Sequence, residues 1–329
     1  MARKLTLLLL LCSSVAFGER MKFRSQFIAM GSAFEVIIVA NSDSADWANA
    51  MIDTAKAEIF RIEKLISSWD PNSQTSQINR QAGIDYTNVD AELYNLIQRS
   101  GSVSAFTDGA FDISFAALAG VWDFDKSQRK VWPDSSLINE KLWLVDYKKI
   151  WLVPETQVLL SNVGMRIGFG GIGKGYAADA VSLKLRFLGV RHGVVNASGD
   201  LQAWGTDENH AIWKSAIIDP ENKKKVKLWL SLTNQAIVTS GDYEKYKMYD
   251  GKRYAHIINP KTGYPTTGIK SAIVISYKAE LADALATSIF VLGVEDGLAL
   301  INKINSVECI IIDDENKLWY SENVEALLD

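Results

Sequence analysis

The glycine-rich stretch from Gly168 to Asp179 restricts the structure of this chain more than any other part of its sequence. It reads GFGGIGKGYAAD, with five glycines among its first eight residues. Glycine lets backbone N–H groups turn inward and approach a ligand without obstruction by a Cβ atom. A helix that begins directly afterwards presents its positive end to the same place, and Lys174 adds a full charge. The pattern favours a phosphate or pyrophosphate site over the alternative, a tight turn between a strand and a helix.

Two phosphate-binding motifs nearly fit this stretch. Gly168 to Gly173 matches G-x-G-x-x-G, but no acidic residue lies about twenty positions further on to hold a ribose. Gly168 to Lys174 also has the spacing of the loop G-x-x-x-x-G-K, but Gly175 stands where a Ser or Thr must reach the magnesium ion. We therefore expect a bound metal to be held by residues from elsewhere in the chain.

A candidate metal site lies on a helix predicted to begin at Ala279. Asp283 and Thr287 are four residues apart and share one face of that helix. Two hard oxygen atoms beside a phosphate site suit Mg²⁺, which takes few protein ligands. The alternative is that Asp283 stabilises the helix start and Thr287 bonds back to a backbone carbonyl. The spacing alone leaves both interpretations open.

The amino terminus has the pattern of a secretory signal. Met1–Gly18 contains two basic residues, the apolar run Leu5–Leu11 and then small residues that permit cleavage after Gly18. The apolar run is too short to span a bilayer. Cys12 raises the possibility of a lipid anchor, but the bulky Leu11 before it argues against one. We expect export to the periplasm.

Charge and cysteine content narrow the partners and the redox chemistry. Removal of the signal segment changes the formal net charge from −4 to −6, because that segment carries two basic and no acidic residues. A chain with this charge and no basic face is not expected to bind nucleic acid. Cys309 is the single cysteine left, so the exported chain has no internal disulfide, and its apolar neighbours predict a core position.

Helical and strand-like segments are interspersed along the chain, which predicts a mixed α/β fold with antiparallel strand pairs. A strand pair with a turn at 30–32 is expected within 27–39. The predicted helices are 45–67, 73–79, 91–107, 176–188 and 279–292, and the predicted strands are 159–169, 193–196, 213–219, 226–232, 236–240, 272–276 and 307–312.

Further polar groups lie in turns. Asp112 follows a glycine turn and either contacts a ligand or caps a short helix over 115–118. Ser240 begins another polar turn at the end of a strand. His256 precedes the rigid turn 259–265 and is one of three histidines in the chain.

Taken together, these segments resemble the ApbE family, the FAD:protein FMN transferases. Any one segment is a weak signal, but eight in series are highly specific, and they cover nearly the whole exported chain. In order they are Met30–Ser32, Ser68–Trp69, Gly109–Asp112, Gly170–Gly175, Asn196–Asp200, Thr239–Asp242, His256–Gly263 and Asp283–Thr287.

The resemblance implies a periplasmic, Mg²⁺-dependent enzyme with an ApbE-like fold, formed by residues 19–329 as one domain of two lobes with mixed and antiparallel sheets. Such an enzyme takes FAD as substrate, moves FMN onto a Ser or Thr hydroxyl of a membrane redox protein as a phosphodiester, and releases AMP. Carried over by position, the FAD contacts are Met30, Trp69, Ala110, Phe111, Asp112, Lys174, Ser240 and Ile257. The metal ligands are Asp283, Thr287 and the backbone oxygen of Gly171.

Two residues are candidates for the chemistry itself. Lys174 would neutralise charge on the pyrophosphate, and His256 would take or orient the proton of the acceptor hydroxyl. If water replaced the acceptor, the same site would hydrolyse FAD to FMN and AMP. An exported FAD carrier without catalysis is a third possibility, which the presence of Asp283 and Thr287 disfavours.

The chain departs from the family pattern at three positions. The family usually has Asp at the position of Gly168, Gly at that of Ser198 and Asp at that of Asn259. The loss of a carboxylate at Gly168 is expected to remove one FAD contact without affecting the metal ligands.

Overall fold

The computed structural model describes residues 19–122, 124, 132–241 and 246–328. The predicted signal segment 1–18 and Asp242 lie outside these residues. The described strands are β1 (Arg20–Ala29), β2 (Ser32–Asn41), β3 (Thr87–Asn88), β4 (Ile150–Val153), β5 (Gln157–Leu160), β6 (Gly193–Ala197), β7 (Asp200–Trp204), β8 (Trp213–Asp219), β9 (Asn222–Leu232), β10 (Ala236–Gly241), β11 (Tyr246–Tyr249), β12 (Lys252–Ala255), β13 (Ile269–Ser276), β14 (Glu308–Asp313) and β15 (Leu318–Tyr320).

Most of the helices begin and end where the sequence predicts, because amphipathic spacing and capping residues are local signals. Ser73 caps the second helix by accepting the N–H of Ser76 at 2.9 Å. The α-helices are α1 (Ala45–Ile66), α2 (Gln74–Arg80), α3 (Ala91–Phe106), α4 (Ser135–Leu142), α5 (Gly173–Phe187), α6 (Ala279–Leu292) and α7 (Val294–Ile301). Short 3-10 helices are Ser42–Ser44, Ile113–Leu118, Tyr147–Lys149 and Val324–Leu327.

One large sheet organises these elements. Its order is β1-β2-β6-β7-β10-β13-β14-β15, and every neighbouring pair is antiparallel. Smaller antiparallel sheets are β3-β5-β4, β8-β9 and β11-β12. The predicted fold class, mixed α and β with helices flanking the sheets, is confirmed, and its named strand pairs are all antiparallel.

The large sheet is covered on both faces. All eight residues of β13 are buried, as expected of a strand inside a sandwich of layers. Ala272 and Val274 point to the core formed with α1, α5 and α6, whereas Ile273 and Ile275 point to the core formed with the β8-β9 hairpin. Cys309 lies in the helix-covered core, as predicted. Of the helices described, none is long and apolar enough to cross a membrane.

The predicted strand 159–169 is wrong beyond Leu160, where β5 ends. The apolar residues Met165, Ile167 and Phe169 alternate in the sequence and are all buried, which explains the strand-like pattern. A side chain replaces the neighbouring strand: the Asn79 amide donates to the carbonyl oxygen of Ile167 at 3.0 Å and accepts its N–H at 2.7 Å. This segment leads the chain into the glycine-rich stretch.

A two-residue turn joins β6 to β7. Ser198 has φ = 57° and Gly199 has φ = 104°, the positive pair that a type I′ hairpin requires. The side chain of Asn196 supports the turn by accepting the N–H of Gly199 at 2.9 Å.

Ser198→Gly is expected to stabilise the protein by about 1 kcal/mol, since Ser is strained at positive φ and Gly is not. Urea unfolding measures the change. Ser215→Gly, in the extended part of β8, is the control and should destabilise instead. A loss of stability in Ser198→Gly would contradict the strain described here.

Candidate active site

The glycine-rich stretch uses several of its N–H groups for hydrogen bonds within the protein. α5 begins at Gly173 rather than Tyr176, so Lys174 lies in the first helical turn. The N–H groups of Gly168 and Gly173 donate to carbonyl oxygens of the protein at 2.9 and 2.7 Å. These two donors are used inside the fold, so close packing is one reason for the glycines, and the phosphate contact stays a prediction.

Two of the glycines allow the stretch to lie against α6. A Cβ atom on Gly175 would overlap the carbonyl oxygen of Ala279 and lie 2.9 Å from the Cβ atom of Asp283. A Cβ atom on Gly171 would lie 2.8 Å from Oγ1 of Thr287. The N–H of Gly175 donates to the Asp283 carboxylate at 3.1 Å. The stretch therefore brings its backbone directly to the two side chains predicted to hold a metal.

Lys174 and two buried carboxyl groups form a charged cluster at the start of α5. Nζ of Lys174 lies 2.6 Å from Oδ2 of Asp200, whose side chain is 1% exposed. The carboxyl groups of Asp200 and Asp283 share a hydrogen bond, and Asp283 is 3% exposed. Burial and the nearby Asp200 carboxylate raise the pKa of Asp283 well above its usual range. A hydrogen bond between two carboxyl groups requires one proton between them, and loss of that proton would leave a net negative charge beside Lys174 that a bound cation would balance.

The sheet explains how Asp200 reaches this cluster. Asp200 is the first residue of β7 and pairs with Ala197 of β6 and Val238 of β10. Directly paired residues on antiparallel strands point to the same face, and both partners lie in the core under the helices. Sequence reasoning did not select Asp200 as a site residue. The available signal was an acid directly after a small-residue turn at the end of a buried strand.

The oxygen atoms of Asp283, Thr287 and Gly171 make a donor set that fits Mg²⁺. A carboxylate, a hydroxyl and a carbonyl are all hard oxygen donors, as Mg²⁺ requires, whereas zinc sites use mainly His and Cys. In the part of the chain that the structure describes, no group of three or more His, Cys, Asp or Glu side chains is placed to hold a metal. The assignment of these three residues as ligands stays a prediction.

Met30 and Trp69, two of the predicted FAD contacts, both lie near the carboxyl-terminal end of α1. The N–H of Met30 donates to Glu63 of α1 at 2.7 Å, and Met30 adopts a positive φ of 50° in the β1-β2 turn. Ile66, at the end of α1, limits the space beside Gly173, where a Cβ atom would lie 3.0 Å from its Cδ1 atom. Trp69 follows and is 89% exposed. So large an exposed ring is available to stack on a ligand.

The loop with Ala110, Phe111 and Asp112 is buried beside the glycine-rich stretch, because the N–H of Gly168 donates to the carbonyl oxygen of the residue after Asp112. The Asp112 carboxylate caps the following 3-10 helix: Oδ1 accepts the N–H of Ser114 at 2.8 Å. Oδ2 accepts a backbone N–H from Tyr147 at 2.8 Å. The capping alternative is therefore correct for this carboxylate, and an FAD contact by the loop stays a prediction.

Gly168 lies in a narrow position. A Cβ atom there would lie 3.2 Å from the Cβ atom of Ala116 and 3.4 Å from Oγ of Ser68. A larger side chain at this position requires its neighbours to move by a few tenths of an ångström. The family usually has an Asp here. In this chain the neighbouring residues leave no open space at the position of that side chain.

Ser240, His256 and Ile257 lie on other elements. Ser240 is two residues beyond Val238, the partner of Asp200, and so lies on β10 just past the charged cluster. His256 follows β12, is exposed, and faces the ring of Phe124 edge-on at 6.5 Å. Ile257 packs against the main core. Their predicted roles stay predictions.

Asp179, at the end of the glycine-rich stretch, joins α5 to α6. Its carboxylate accepts the N–H groups of Ala279 and Glu280 at 3.0 and 3.1 Å and so caps α6. Burial raises the pKa of Asp179 to about 6; the nearby Lys278 opposes this shift and Glu280 adds to it.

This shift predicts how stability depends on pH. The folded chain binds the Asp179 proton more tightly than the unfolded chain, so the free energy of unfolding should fall as the pH rises from about 4 to about 6. Asp179→Asn keeps an oxygen acceptor but has no titrating group. Urea unfolding at pH values below and above that window should therefore show a smaller fall in its free energy of unfolding than in the wild type. Asp134→Asn is the control: bonds from Ser136 lower the pKa of that exposed cap of α4, so its effect should have the opposite sign. An unchanged pH profile in Asp179→Asn would contradict the assignment.

Comparison with known proteins places this arrangement in a family. A model of the ApbE family matches residues 30–311. The FAD:protein FMN transferase of Treponema pallidum is 29% identical over 342 residues, covering 97% of this chain and 92% of the relative. The enzyme of the same name from Klebsiella pneumoniae is 32% identical over 257 residues, covering 77% and 79%.

Solved structures agree with the sequence comparisons. The crystal structure of the ApbE protein of Thermotoga maritima matches with a TM-score of 0.85 and 29% identity, covering 94% of this chain and all of that one. The apo flavinyl transferase ApbE of Pseudomonas stutzeri matches with a TM-score of 0.83 and 25% identity, covering 94% and 97%.

Proposed function

This chain belongs to the ApbE family, and from that membership we propose that it is a FAD:protein FMN transferase. It moves the FMN half of FAD onto a Ser or Thr hydroxyl of an acceptor protein and releases AMP. Relatives that carry this name match this chain along most of their own length, and this similarity supports the activity. The structural observation that carries the proposal is the buried cluster of Lys174, Asp200 and Asp283 beside Gly171 and Thr287.

The reaction exchanges one phosphorus–oxygen bond for another. The acceptor hydroxyl attacks the phosphorus of the FMN half, and the bond from that phosphorus to the bridging oxygen breaks. AMP leaves with the bridging oxygen, so negative charge develops there, and Lys174 is the residue that would neutralise this charge. Mg²⁺, when bound, supplies further electrostatic stabilisation, and Asp283, Thr287 and the Gly171 carbonyl would hold it.

His256 is the proposed base for the hydroxyl proton. His256→Ala is expected to slow both AMP release and flavin transfer by about 10²–10⁴-fold, the usual contribution of a positioned base. His210→Ala is the matched control, because His210 bonds instead to Arg20 at the start of β1. A normal rate in His256→Ala would remove the assignment.

The setting of the reaction is also part of the proposal. We assign the chain to the periplasm on the signal pattern of residues 1–18, and we assign the acceptor to the membrane redox proteins on the family resemblance. Fractionation of cells that make the full chain tests the location. Recovery of the chain, uncleaved, with the cytoplasmic proteins would contradict it.

Incubation of the purified chain with FAD and MgCl₂, with and without an acceptor domain, tests the function. AMP together with flavin fixed covalently to the acceptor is the expected result, and EDTA should abolish both. AMP with free FMN in both samples would instead identify an FAD pyrophosphatase. Tight FAD binding without AMP in excess Mg²⁺ would identify a carrier.

A further inference from the structure

Asp200 contacts both of the charged side chains at the centre of the site. Its Oδ2 atom lies 2.6 Å from Nζ of Lys174, and its carboxyl group lies within hydrogen-bonding reach of that of Asp283. The side chain is 1% exposed, so these contacts are made almost without water. A carboxylate in such a position interacts strongly with both neighbours.

Lys174 needs an anchor to act at a fixed point. A lysine ammonium is a compact charge on a flexible four-carbon stem, and its side chain here is 26% exposed. Asp200 supplies a rigid anchor, because it begins β7 directly after a two-residue hairpin and is paired on both sides within the sheet. Groups held by strands and tight turns keep their positions better than groups on loops.

Asp283 is fixed in a similar way. Metal-binding carboxylates are usually oriented by a second hydrogen-bonding group, and loss of that group weakens metal binding by about 10–100-fold. Asp283 accepts the N–H of Gly175 at 3.1 Å and also contacts Asp200. The same side chain thus touches the predicted metal ligand and the predicted phosphate-binding lysine.

Simple neutralisation of a lysine is the alternative role for Asp200. The same helix offers a matched pair for comparison: Nζ of Lys184 lies 2.6 Å from Oε2 of Glu58. That pair joins α5 to α1, away from Asp283, and the Lys184 side chain is 43% exposed. If Asp200 acted only as a counter-ion, loss of either carboxylate would affect stability alone.

We propose that Asp200 is a positioning residue, which fixes the Lys174 ammonium and the Asp283 carboxylate for the transfer reaction. This role rests on the proposed function. It explains why the first residue of β7 is acidic. The chain has just left a turn at this point, and the carboxylate of Asp200 enters the core.

Kinetics of AMP release test the role with a double-mutant cycle. Asp200→Asn should lower kcat by about 100-fold while KM for FAD changes by less than about 3-fold, since misplacement acts on the transition state. Lys174→Met should also lower kcat, and the double variant should fall well short of the product of the two losses. Glu58→Gln should keep the wild-type kcat. A raised KM at unchanged kcat, or fully multiplicative losses, would overturn the proposal.

Binding of MgCl₂ alone, measured by calorimetry, separates this proposal from the proposed function. Asp200→Asn should weaken Mg²⁺ binding by about 10-fold or more, and Glu58→Gln should not. If the wild-type chain releases no AMP, the proposed function fails, and the Mg²⁺ comparison still decides the role of Asp200. Equal Mg²⁺ affinity in the variant, or none in the wild type, would overturn it. If Asp200→Asn does not fold, Asp200→Glu takes its place. This variant keeps the negative charge but displaces the carboxylate, and the same comparisons of kcat, KM and Mg²⁺ affinity apply to it.

Discussion

Replacing Asp283 by Asn is expected to lower Mg²⁺-dependent AMP release from FAD by about 10³-fold while leaving the fold intact. The amide keeps the size of the side chain and an oxygen for the N–H of Gly175. It removes the negative charge that would attract the cation. Because burial already disfavours the charged form of Asp283, removal of the charge should not cost stability. AMP release and the unfolding temperature measure the two effects separately.

Glu280→Gln is the control for this experiment. Glu280 lies one turn earlier on α6 and pairs with Arg99 at 2.6 Å, on the outside of the helix. Its loss should leave the rate of AMP release unchanged. An Asp283→Asn enzyme with the normal Mg²⁺-dependent rate would exclude Asp283 as a metal ligand.

Replacing Gly175 by Ala is expected to destabilise the protein by about 3 kcal/mol or more. The added methyl group would overlap the carbonyl oxygen of Ala279, and backbone cannot move aside as a flexible side chain can. α5 and α6 would have to separate at the point where Asp283 receives its hydrogen bond. Protein that still folds should therefore also lose AMP release, which urea unfolding and the transfer assay measure together.

A second helical glycine provides the matched control. Gly101 lies within α3, and a Cβ atom there would meet nothing within 4 Å. Gly101→Ala should therefore stabilise the protein by about 1 kcal/mol, the usual difference in helix propensity. If Gly175→Ala behaved like Gly101→Ala, the close approach of α5 to α6 described here would be wrong.

The elements around the site were largely predictable from the sequence because their signals are local. α6 begins and ends as predicted, and α1 ends before Pro71, which cannot continue a helix. Asp112 shows the limit of such signals. A carboxylate after a glycine turn is suited equally to a ligand and to a cap. One of its oxygens bonds locally to Ser114, but the other bonds to Tyr147, which is distant in sequence.

The charged cluster was less predictable because it depends on the register of the sheet and on the packing of helices. Asp200 reaches Lys174 only because β7 pairs with β6 and β10 in one register. The glycines between 168 and 175 allow the stretch to lie against α6, and the phosphate site predicted there stays a prediction. Close contact with another helix and close contact with a phosphate both require a residue without Cβ, and sequence alone does not separate them.

The strands of the large sheet follow one another in space in the same order as along the chain, from β1 to β15. A chain that leaves the ribosome or a membrane pore amino terminus first can therefore extend this sheet at a single growing edge, strand by strand. The longest segment between two neighbouring strands of this sheet separates β2 from β6. The entropic cost of bringing these two strands together rises only slowly with the length of that segment. α6 emerges after β13, so most of the sheet is in place before Asp283 meets Asp200. This order allows the scaffold to assemble first, with the contact between Asp200 and Asp283 forming in one of the last steps of folding.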